Sequence, residues 1–404
     1  MVIQAPCSVG VVLLTLTGTS LFPGDGADFC PVSDTVAVAE RVLLLGDDDQ
    51  DPAGLFVQIS GIAVDSGGRF AVLDRSLRNV RLFSGDGELL ERFGRTGQGP
   101  GEFRDPVGVA FGRDGTLSVL DPGNDRITVF GVDGALRQTV PLRSDETEER
   151  IVGWQQIEPG TVLERVWSSE LEGASDRLRI RLLPEDTVPT IAHLEYQRPH
   201  NPRSPSDPIE LLGARPEWTA SPDGFVAWSF ITPGAEPRMW VRHPSGHLAQ
   251  STVEGHSSRP IRADERTFLM EEARRGWAEL LGRDLDEISP LTDRFVLPDS
   301  LPALTGLFGL EGGPVLVQSF HGVDELDGGA LFSYFNLPLG GGRWTLVAPN
   351  GSVLGPVDLP SGFVPWATKG ELLYGVEVDE YRVERLAVYR LDRMSESQDR
   401  LGRR

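Results

Sequence analysis

Two clusters of histidine and charged side chains in this chain could bind a ligand or a metal ion. His321 precedes three acidic residues, of which Asp324 is the first, and His256 lies three residues before Arg259. Imidazole and carboxylate groups are common metal ligands. Clustered charged residues are more often solvated surface groups. We therefore treat these four residues as candidates for binding, with a solvated surface as the alternative.

Other patterns that could support catalysis fail on their spacing or position. His243 and His247 flank a predicted hairpin turn, so they do not share the helix face that a zinc site of that spacing requires. The acidic run 47–51 lacks the alternating ligands of a calcium-binding loop. Lys369 is the only lysine and lies in a turn beside Gly370, which argues against lysine chemistry. The sequence has no Gly-x-Ser-x-Gly elbow and no Walker-type loop after a strand.

An internal repeat defines the elements that must position these residues. Residues 61–87 and 108–134 align without a gap at an offset of 47 residues, the distance from Gly61 to Gly108. A repeat of this length is typical of one blade of a β-propeller. The identical positions are turn glycines, turn aspartates and apolar strand residues, so the repeat specifies architecture and not catalysis.

Each copy of the repeat contains four short strands bounded by turns, which is the content of one blade. The same turn residues recur later in the chain and give six units in total. The last unit ends after its third strand, whereas residues 36–45 form an apolar strand that has no unit of its own. We therefore predict an all-β, six-bladed propeller of four-stranded antiparallel blades, in which the N-terminal strand closes the last blade.

These boundaries divide the chain into three predicted parts. Residues 1–30 are a leader segment, residues 36–391 form a single propeller, and residues 392–404 form a polar tail. Three insertions interrupt the predicted propeller, at residues 195–216, 254–302 and 319–343.

The second insertion is predicted to carry one helix between blades four and five. Asp264 suits the N-cap of this helix and Gly282 suits its C-terminal end. We expect the helix to pack across the ring as a lid or a brace, with Trp277 packed in a core rather than stacked on a ligand. Its apolar stripe comprises Phe268, Leu269, Ala273, Trp277, Leu280 and Leu281.

The long connections all leave the predicted propeller on one face. Within a blade, the loop between the second and third strands and the crossover to the next blade emerge on this loop-rich face, whereas the two hairpins emerge on the opposite, hairpin face. Long loops on a rigid scaffold are where binding sites usually lie. The alternative is that the loops only cover the ring. The predicted binding residues on the loop-rich face are Arg95, Arg104, His256, Arg259, His321 and Asp324.

Two motifs near the first repeats carry a resemblance to a known family. They are residues 93–103 (FGRTGQGPGEF) and residues 119–130 (VLDPGNDRITVF), in which the chain resembles the NHL-repeat six-bladed β-propellers. The resemblance implies binding of proteins or ligands, as in many members of that group. Other members have lyase, lactonase or esterase activity with a bound divalent metal, and the resemblance implies such an activity as the alternative.

The second motif contains a set of polar residues that suits the locking of a loop. Asp121, Asn124 and Arg126 are expected to organise their loop through hydrogen bonds. Blade one has Leu77 and Asn79 in place of Asn124 and Arg126. We therefore expect the corresponding contacts in blade one to be lost or replaced.

The composition restricts the partners of the protein. Its formal net charge is −22 and no cluster of basic residues is present, which argues against a nucleic-acid partner. No apolar run is long enough to span a membrane. The short apolar run 9–16, followed by small residues, indicates a leader, so we expect a secreted, periplasmic or cell-envelope protein. We also expect a monomer.

The sequence favours an exported, non-catalytic propeller that binds a protein or small-molecule partner on its loop-rich face and uses no cofactor. A metal site in the channel would need ligands on the innermost strands, and the residues expected there are Ile62, Val109, Trp154, Trp218, Leu307 and Val364. The alternative follows from the resemblance. It is a metal-dependent lyase, or a lactonase- or esterase-like hydrolase, that holds calcium or another divalent metal in the central channel.

Overall fold

The computed structural model describes most of the chain between Ala37 and Arg393. No helix in this described part is long and apolar enough to cross a membrane. The predicted leader 1–30, His321 and Asp324 lie outside the described residues. The described ranges are 37–46, 54–142, 150–170, 173–183, 190–196, 208–253, 255–319, 344–360, 362–379 and 383–393.

The strands form six four-stranded antiparallel blades, which confirms the predicted all-β propeller. The first strand of the chain is β1 (Ala37–Leu45). Blade one consists of β2 (Ile59–Val64), β3 (Phe70–Asp74), β4 (Asn79–Phe83) and β5 (Leu89–Phe93). Blade two consists of β6 (Gly108–Phe111), β7 (Leu117–Asp121), β8 (Arg126–Phe130) and β9 (Leu136–Pro141).

Blade three has longer strands than the first two blades, and a long connection leads from it to blade four. Blade three consists of β10 (Arg150–Glu158), β11 (Thr161–Glu170), β12 (Gly173–Leu182) and β13 (Thr190–Tyr196). The connection contains the short strand β14 (Ile209–Glu210). Blade four consists of β15 (Arg215–Ala220), β16 (Val226–Ile231), β17 (Arg238–Arg242) and β18 (Leu248–Thr252).

An insertion with two helices separates blade four from blade five, where one helix was predicted. Its elements are β19 (Arg259–Pro260), α1 (Ala263–Leu281), α2 (Leu285–Thr292), β20 (Phe295–Val296) and β21 (Ser300–Leu301). β14 pairs with β20 and β19 pairs with β21. The second helix was missed because it is short and contains Pro290, which reads as a helix breaker in a sequence.

The N-terminal strand closes the ring as predicted. Blade five consists of β22 (Leu304–Gly309), β23 (Val315–Ser319), β24 (Trp344–Val347) and β25 (Val353–Asp358). Blade six consists of β26 (Phe363–Lys369), β27 (Leu372–Val378), β28 (Glu384–Arg393) and β1. β1 runs antiparallel to β28, from Ala37 opposite Arg393 to Leu45 opposite Leu386. This pairing covers the edge that β28 would otherwise present to solvent.

Glycines on the innermost strands let neighbouring blades approach closely. A Cβ atom on Gly108 would lie 2.9 Å from the Cβ of Trp154, and one on Gly153 would lie 2.4 Å from Cζ2 of Trp218. Both distances are shorter than real Cβ contacts. Trp154 follows Gly153 directly in blade three. Trp154 packs against Gly108 of blade two, and Gly153 leaves room for Trp218 of blade four.

The helix α1 begins two residues earlier than the predicted N-cap implies. Arg262, and not Asp264, precedes the first helical residue, and its N–H donates to Glu265 Oε2 at 2.9 Å. A glutamate three residues into a helix that bonds the N-cap N–H is one half of a capping box. Gly282 follows the last helical residue with a φ of +59°, which confirms the predicted C-terminal end.

The apolar face of α1 packs on the connection that precedes blade four. Leu269 is buried together with Leu211 and Leu212, and Trp277 packs against the same cluster, as predicted for a core residue. Leu281 is exposed, so the predicted apolar stripe does not extend to it. Within the described residues this cluster comes from the insertion and the neighbouring connection. The helix therefore braces two crossovers of the loop-rich face.

Candidate functional site

The carboxylate of Asp74 organises the loop-rich face of blade one. Asp74 ends β3 and is fully buried. Its oxygens accept the N–H of Val57 at 2.9 Å and the N–H of Leu77 at 3.0 Å. Val57 lies in the crossover that enters blade one, and Leu77 lies in the loop between β3 and β4. One buried carboxylate therefore holds two loops side by side.

Blade one lacks the residues that correspond to Asn124 and Arg126. Arg81 makes contacts in their place. Its guanidinium donates to Asp74 Oδ2 at 3.2 Å and to the carbonyl of Leu55 at 2.6 Å. Its Cζ lies 4.2 Å from the centre of the Phe56 ring, a cation–π contact. In the repeat, Arg81 occupies the position two residues beyond that of Arg126. The contacts are thus replaced from a different position of the same strand.

The corresponding polar residues of blade two lock their loop as predicted. Asp121 accepts the N–H of Arg104 at 3.0 Å, and Asn124 Nδ2 donates to Asp121 Oδ2 at 2.8 Å. Arg126 Nη2 donates to the carbonyl of Glu102 at 2.8 Å. The hydrogen bond from Arg104 to Asp121 is related by the repeat offset to the one from Val57 to Asp74. The repeat therefore preserves a loop-fixing bond as well as a strand pattern.

The loops fixed by Asp74 present aliphatic side chains to solvent. Val57 is 60% exposed, and Leu55 and Leu77 are exposed beside it. Val383, also exposed, lies between β27 and β28, and the carboxylate of the next residue, Glu384, accepts the N–H of the first residue of β2 at 2.5 Å. We call Leu55, Val57, Leu77 and Val383 the apolar patch.

Arginine side chains border the apolar patch. Arg78 follows Leu77, and its Nε donates to the carbonyl of Arg104 at 2.9 Å, which brings the predicted binding residue Arg104 next to the patch. The side chain of Arg104 is exposed. Ion pairs between described residues include neither Arg78 nor Arg104. The border of the patch thus includes the half-buried guanidinium of Arg78 and the exposed residue Arg104.

Arg95, another predicted binding residue, is engaged within its own crossover. Its guanidinium lies 2.9 Å from Glu102 Oε1. The hydrogen bond from the N–H of Gly99 and the contact with Arg95 lower the pKa of Glu102 below its usual value. Arg95 therefore stabilises the loop that precedes blade two.

Arg259 and His256 lie at the start of the insertion, apart from blades one and two. Arg259 donates to both oxygens of Glu265, at 2.6 and 2.8 Å. His256 is half-buried ahead of β19. Of the predicted binding residues, the structure brings Arg104 to the apolar patch, places Arg95 in an ion pair within its crossover, and places Arg259 in an ion pair with α1.

A cavity of about 180 Å³ opens on the hairpin face, at the ends of the innermost strands. Five of the six blades line it, and its polar lining residues include Asp65, Gln155, Gln156, Glu158, Glu311 and Lys369. The sequence pointed to Trp154 as the residue of β10 that faces the channel. The pairing of β10 with β11 shifts between Ile151 and Gly153, directly before Trp154, and such an irregularity changes which residues face inward. The sequence signal for these channel residues was the pair of adjacent amides, Gln155 and Gln156, in an apolar strand.

The amide side chains of the channel connect blade three with blades one, two and four. Gln156 donates to the carbonyl of Val64 at 2.6 Å and accepts the N–H of Phe111 at 2.6 Å. Gln155 exchanges two hydrogen bonds with the backbone of Ala220, at 3.0 and 3.3 Å. In the part of the chain that the structure describes, no three His, Cys, Asp or Glu side chains are grouped to hold a metal.

Comparisons with known proteins found similarity in fold. Residues 50–145 match a family model described as a 6-bladed beta-propeller. No curated protein matches the chain by sequence. A solved member of the DUF4221 family from Bacteroides vulgatus superposes with a TM-score of 0.51 at 10% identity, over 89% of this chain and 98% of that chain.

Two further solved structures cover similar shares of the chain with lower scores. A calcium-binding protein, regucalcin, from Agrobacterium tumefaciens has a TM-score of 0.44 at 11% identity, over 89% of this chain and 97% of its own. Virginiamycin B lyase from Staphylococcus aureus has a TM-score of 0.36 at 11% identity, over 87% of each chain. With the strand topology and the matched family model, the chain is a six-bladed β-propeller.

Proposed function

We propose that this propeller is an exported, non-catalytic scaffold that binds a protein partner through the apolar patch on its loop-rich face. The observation that supports this most directly is the position of Val57 and Leu77, which are exposed although the buried carboxylate of Asp74 holds both of their backbones. Aliphatic side chains grouped on a protein surface are typical of interaction sites. Loops that are already fixed lose little conformational entropy when they bind.

The border of the patch indicates the chemistry of the partner. Arg78 and Arg104 provide positive charge in a chain whose formal net charge is −22. A protein segment with aliphatic side chains would cover the patch, and its carboxylates would lie against these two arginines. Charges at the border of an interface contribute mainly to specificity and to the rate of association.

The test is site-specific photo-crosslinking in cells that make the protein. A photoreactive amino acid at Leu77 is expected to give one discrete adduct with a protein, whereas the same amino acid at Leu248 is expected to give none. Leu248 is the matched control because it is also aliphatic and exposed but starts the outermost strand of blade four, at the hairpin face. Equal adducts at both positions, or none at Leu77, would contradict the proposal.

A second step separates binding from catalysis. The double variant Val57→Lys/Leu77→Lys is expected to weaken binding of the purified partner, and Leu248→Lys is expected to leave it unchanged. A panel of lactones and esters, assayed with and without a chelator, tests the enzyme alternative. Chelator-sensitive turnover would favour that alternative over a non-catalytic scaffold. Fractionation of the same cells tests the expected export.

A further inference from the structure

The cavity on the hairpin face contains one ammonium and one carboxylate group that are not part of an ion pair. Lys369 and Glu311 both line it. Lys369 Nζ donates to the carbonyl of Asp65 at 3.0 Å and to the carbonyl of Ser66. Glu311 Oε2 accepts the N–H of Gly370 at 2.8 Å. Ion pairs between described residues include neither Lys369 nor Glu311.

These hydrogen bonds fix both charged groups without neutralising them. An ammonium group has three N–H donors, and the two carbonyls of blade one use two of them. A carboxylate has two oxygens, and the turn of blade six uses one oxygen of Glu311. Each group therefore keeps hydrogen-bonding capacity for a molecule in the cavity. Their positions are set by backbone atoms of neighbouring blades.

The other two acidic groups of the cavity are already paired. Asp65 accepts the N–H and the Nε of Arg69 at 2.8 and 2.7 Å. Glu158 lies 3.1 Å from Arg113 Nη2. The charges left for a ligand are thus one positive and one negative. A simple cation would meet the ammonium of Lys369, and a simple anion would meet a carboxylate.

The size and walls of the cavity restrict the ligand further. Its volume of about 180 Å³ is close to that of a cavity that holds one benzene molecule, about 150 Å³. Apolar side chains contribute to the walls, among them Val64, Ile157 and Phe308. A molecule of this size with a short aliphatic group would fill the space.

We propose that this cavity binds a small zwitterion with one carboxylate and one ammonium group, in the class of free amino acids with an aliphatic side chain. The carboxylate of the ligand lies against Lys369, its ammonium lies against Glu311, and its side chain packs on the apolar walls. The site lies on the opposite face from the apolar patch. It does not depend on the proposed binding of a protein partner.

The first test is calorimetric titration of the full-length protein with valine and with two analogues that each lack one charge. Isobutylamine lacks the carboxylate, and 3-methylbutanoate lacks the ammonium. Loss of one charge-assisted hydrogen bond is expected to weaken binding by about tenfold or more. Valine should therefore bind saturably and both analogues more weakly. No saturation with valine at millimolar concentrations, or equal affinity for either analogue, would overturn the proposal.

Variants assign the two charges to their residues. Glu311→Gln keeps an oxygen for the N–H of Gly370, so the turn is retained while the charge is lost. This variant is expected to bind valine about tenfold more weakly and 3-methylbutanoate no more weakly than the unmodified protein. Glu371→Gln is the control. Glu371 follows Gly370 in the turn of blade six, and its carboxylate does not line the cavity. An equal loss of valine binding in both variants would overturn the assignment.

Lys369→Met tests the other end of the ligand. It is expected to abolish the difference in affinity between valine and isobutylamine, since the carboxylate of valine then has no positive partner. Thermal unfolding of the variant shows whether the bonds from Lys369 to blade one also hold the ring closed. The Glu311→Gln result decides the proposal if Lys369→Met fails to fold.

Discussion

Arg81 Nη2 lies 3.2 Å from Asp74 Oδ2, and neither side chain is more than 1% exposed. Blade two keeps the aspartate as Asp121 but has Thr128 at the position of Arg81, and Asn124 bonds the carboxylate instead. The same buried carboxylate is therefore satisfied by an arginine in one blade and by an amide in the next. The ion pair between Asp74 and Arg81 occurs in blade one, where Asp74 holds the loops that carry the apolar patch.

Loss of the arginine should destabilise the protein strongly. Arg81→Met leaves the buried carboxylate of Asp74 without its charged partner and is expected to lower the free energy of unfolding by about 3–5 kcal/mol. The measurement is urea denaturation followed by circular dichroism. Arg137→Met, which removes an exposed ion pair with Asp133, is the control and should cost about 0–1 kcal/mol. A cost below that of the control would show that the pair does not stabilise the fold.

Glu265 should make the stability of the insertion dependent on pH. Hydrogen bonds from Arg259 lower the pKa of Glu265 from its ordinary value of 4.5 to about 2. Since the folded pKa lies below the unfolded one, this stabilisation is present above about pH 4.5 and is lost as the pH falls through about 2. Glu265→Gln is expected to lower the free energy of unfolding by about 1–3 kcal/mol at pH 7, and by little near pH 2.

Denaturant titrations between pH 2 and pH 7 measure this difference. Glu271→Gln is the matched control, because Glu271 is an exposed carboxylate on the same helix. A difference between Glu265→Gln and the unmodified protein that stays constant over this range would contradict the proposed ion pair.

Glu384 should affect stability with the opposite sign. Burial raises the pKa of Glu384, and the nearby carboxylate of Asp74 raises it further, against the hydrogen bond from the N–H of Ile59. Because the folded pKa lies above the ordinary value of 4.5, the favourable contribution is present below about pH 4.5 and is lost as the pH rises through the folded pKa. Glu384 therefore contributes less to stability at pH 7 than at low pH.

The expected result is that Glu384→Gln unfolds at the same or a higher denaturant concentration than the unmodified protein at pH 7. The amide keeps an oxygen for the N–H of Ile59 and removes the repulsion with Asp74. Below about pH 4.5 this advantage should disappear. Destabilisation by more than about 1 kcal/mol at pH 7, the net worth of one hydrogen bond, would show that the charge of Glu384 is favourable.

The blades and the ring closure were predictable because their signals are local and repeated. Turn glycines recur in every unit, and the unpaired strand before blade one matches the strand missing from blade six. The helix α1 was predictable from its apolar spacing, whereas α2 is too short and contains Pro290. Periodic patterns therefore allowed the blades and α1 to be predicted. The helix α2 breaks such a pattern and was missed.

The candidate sites depend on contacts between residues that are distant in the sequence. Arg104 stays a predicted binding residue, and its backbone carbonyl accepts a hydrogen bond from Arg78 at the border of the apolar patch. The patch itself was missed, because spacing does not show that Val57 and Leu77 remain exposed while Asp74 holds both backbones. The cavity was missed for a related reason. Lys369 and Glu311 belong to short turns of two consecutive blades, and the packing of blade five against blade six brings them together.

The packing of Gly153 against Trp218 should limit what blade three tolerates. Gly153 has a backbone conformation open to other residues, so the cost of Gly153→Ala comes from packing, with the new Cβ 2.4 Å from Cζ2 of Trp218. We expect the variant to lower the free energy of unfolding by about 1–3 kcal/mol. Trp218→Phe removes the atom that the new Cβ would meet. The double variant should therefore lose less than the two single variants together, by about 0.5–3 kcal/mol. Urea denaturation of the four proteins measures this coupling, and strictly additive costs would show that the two inner strands do not pack through this pair.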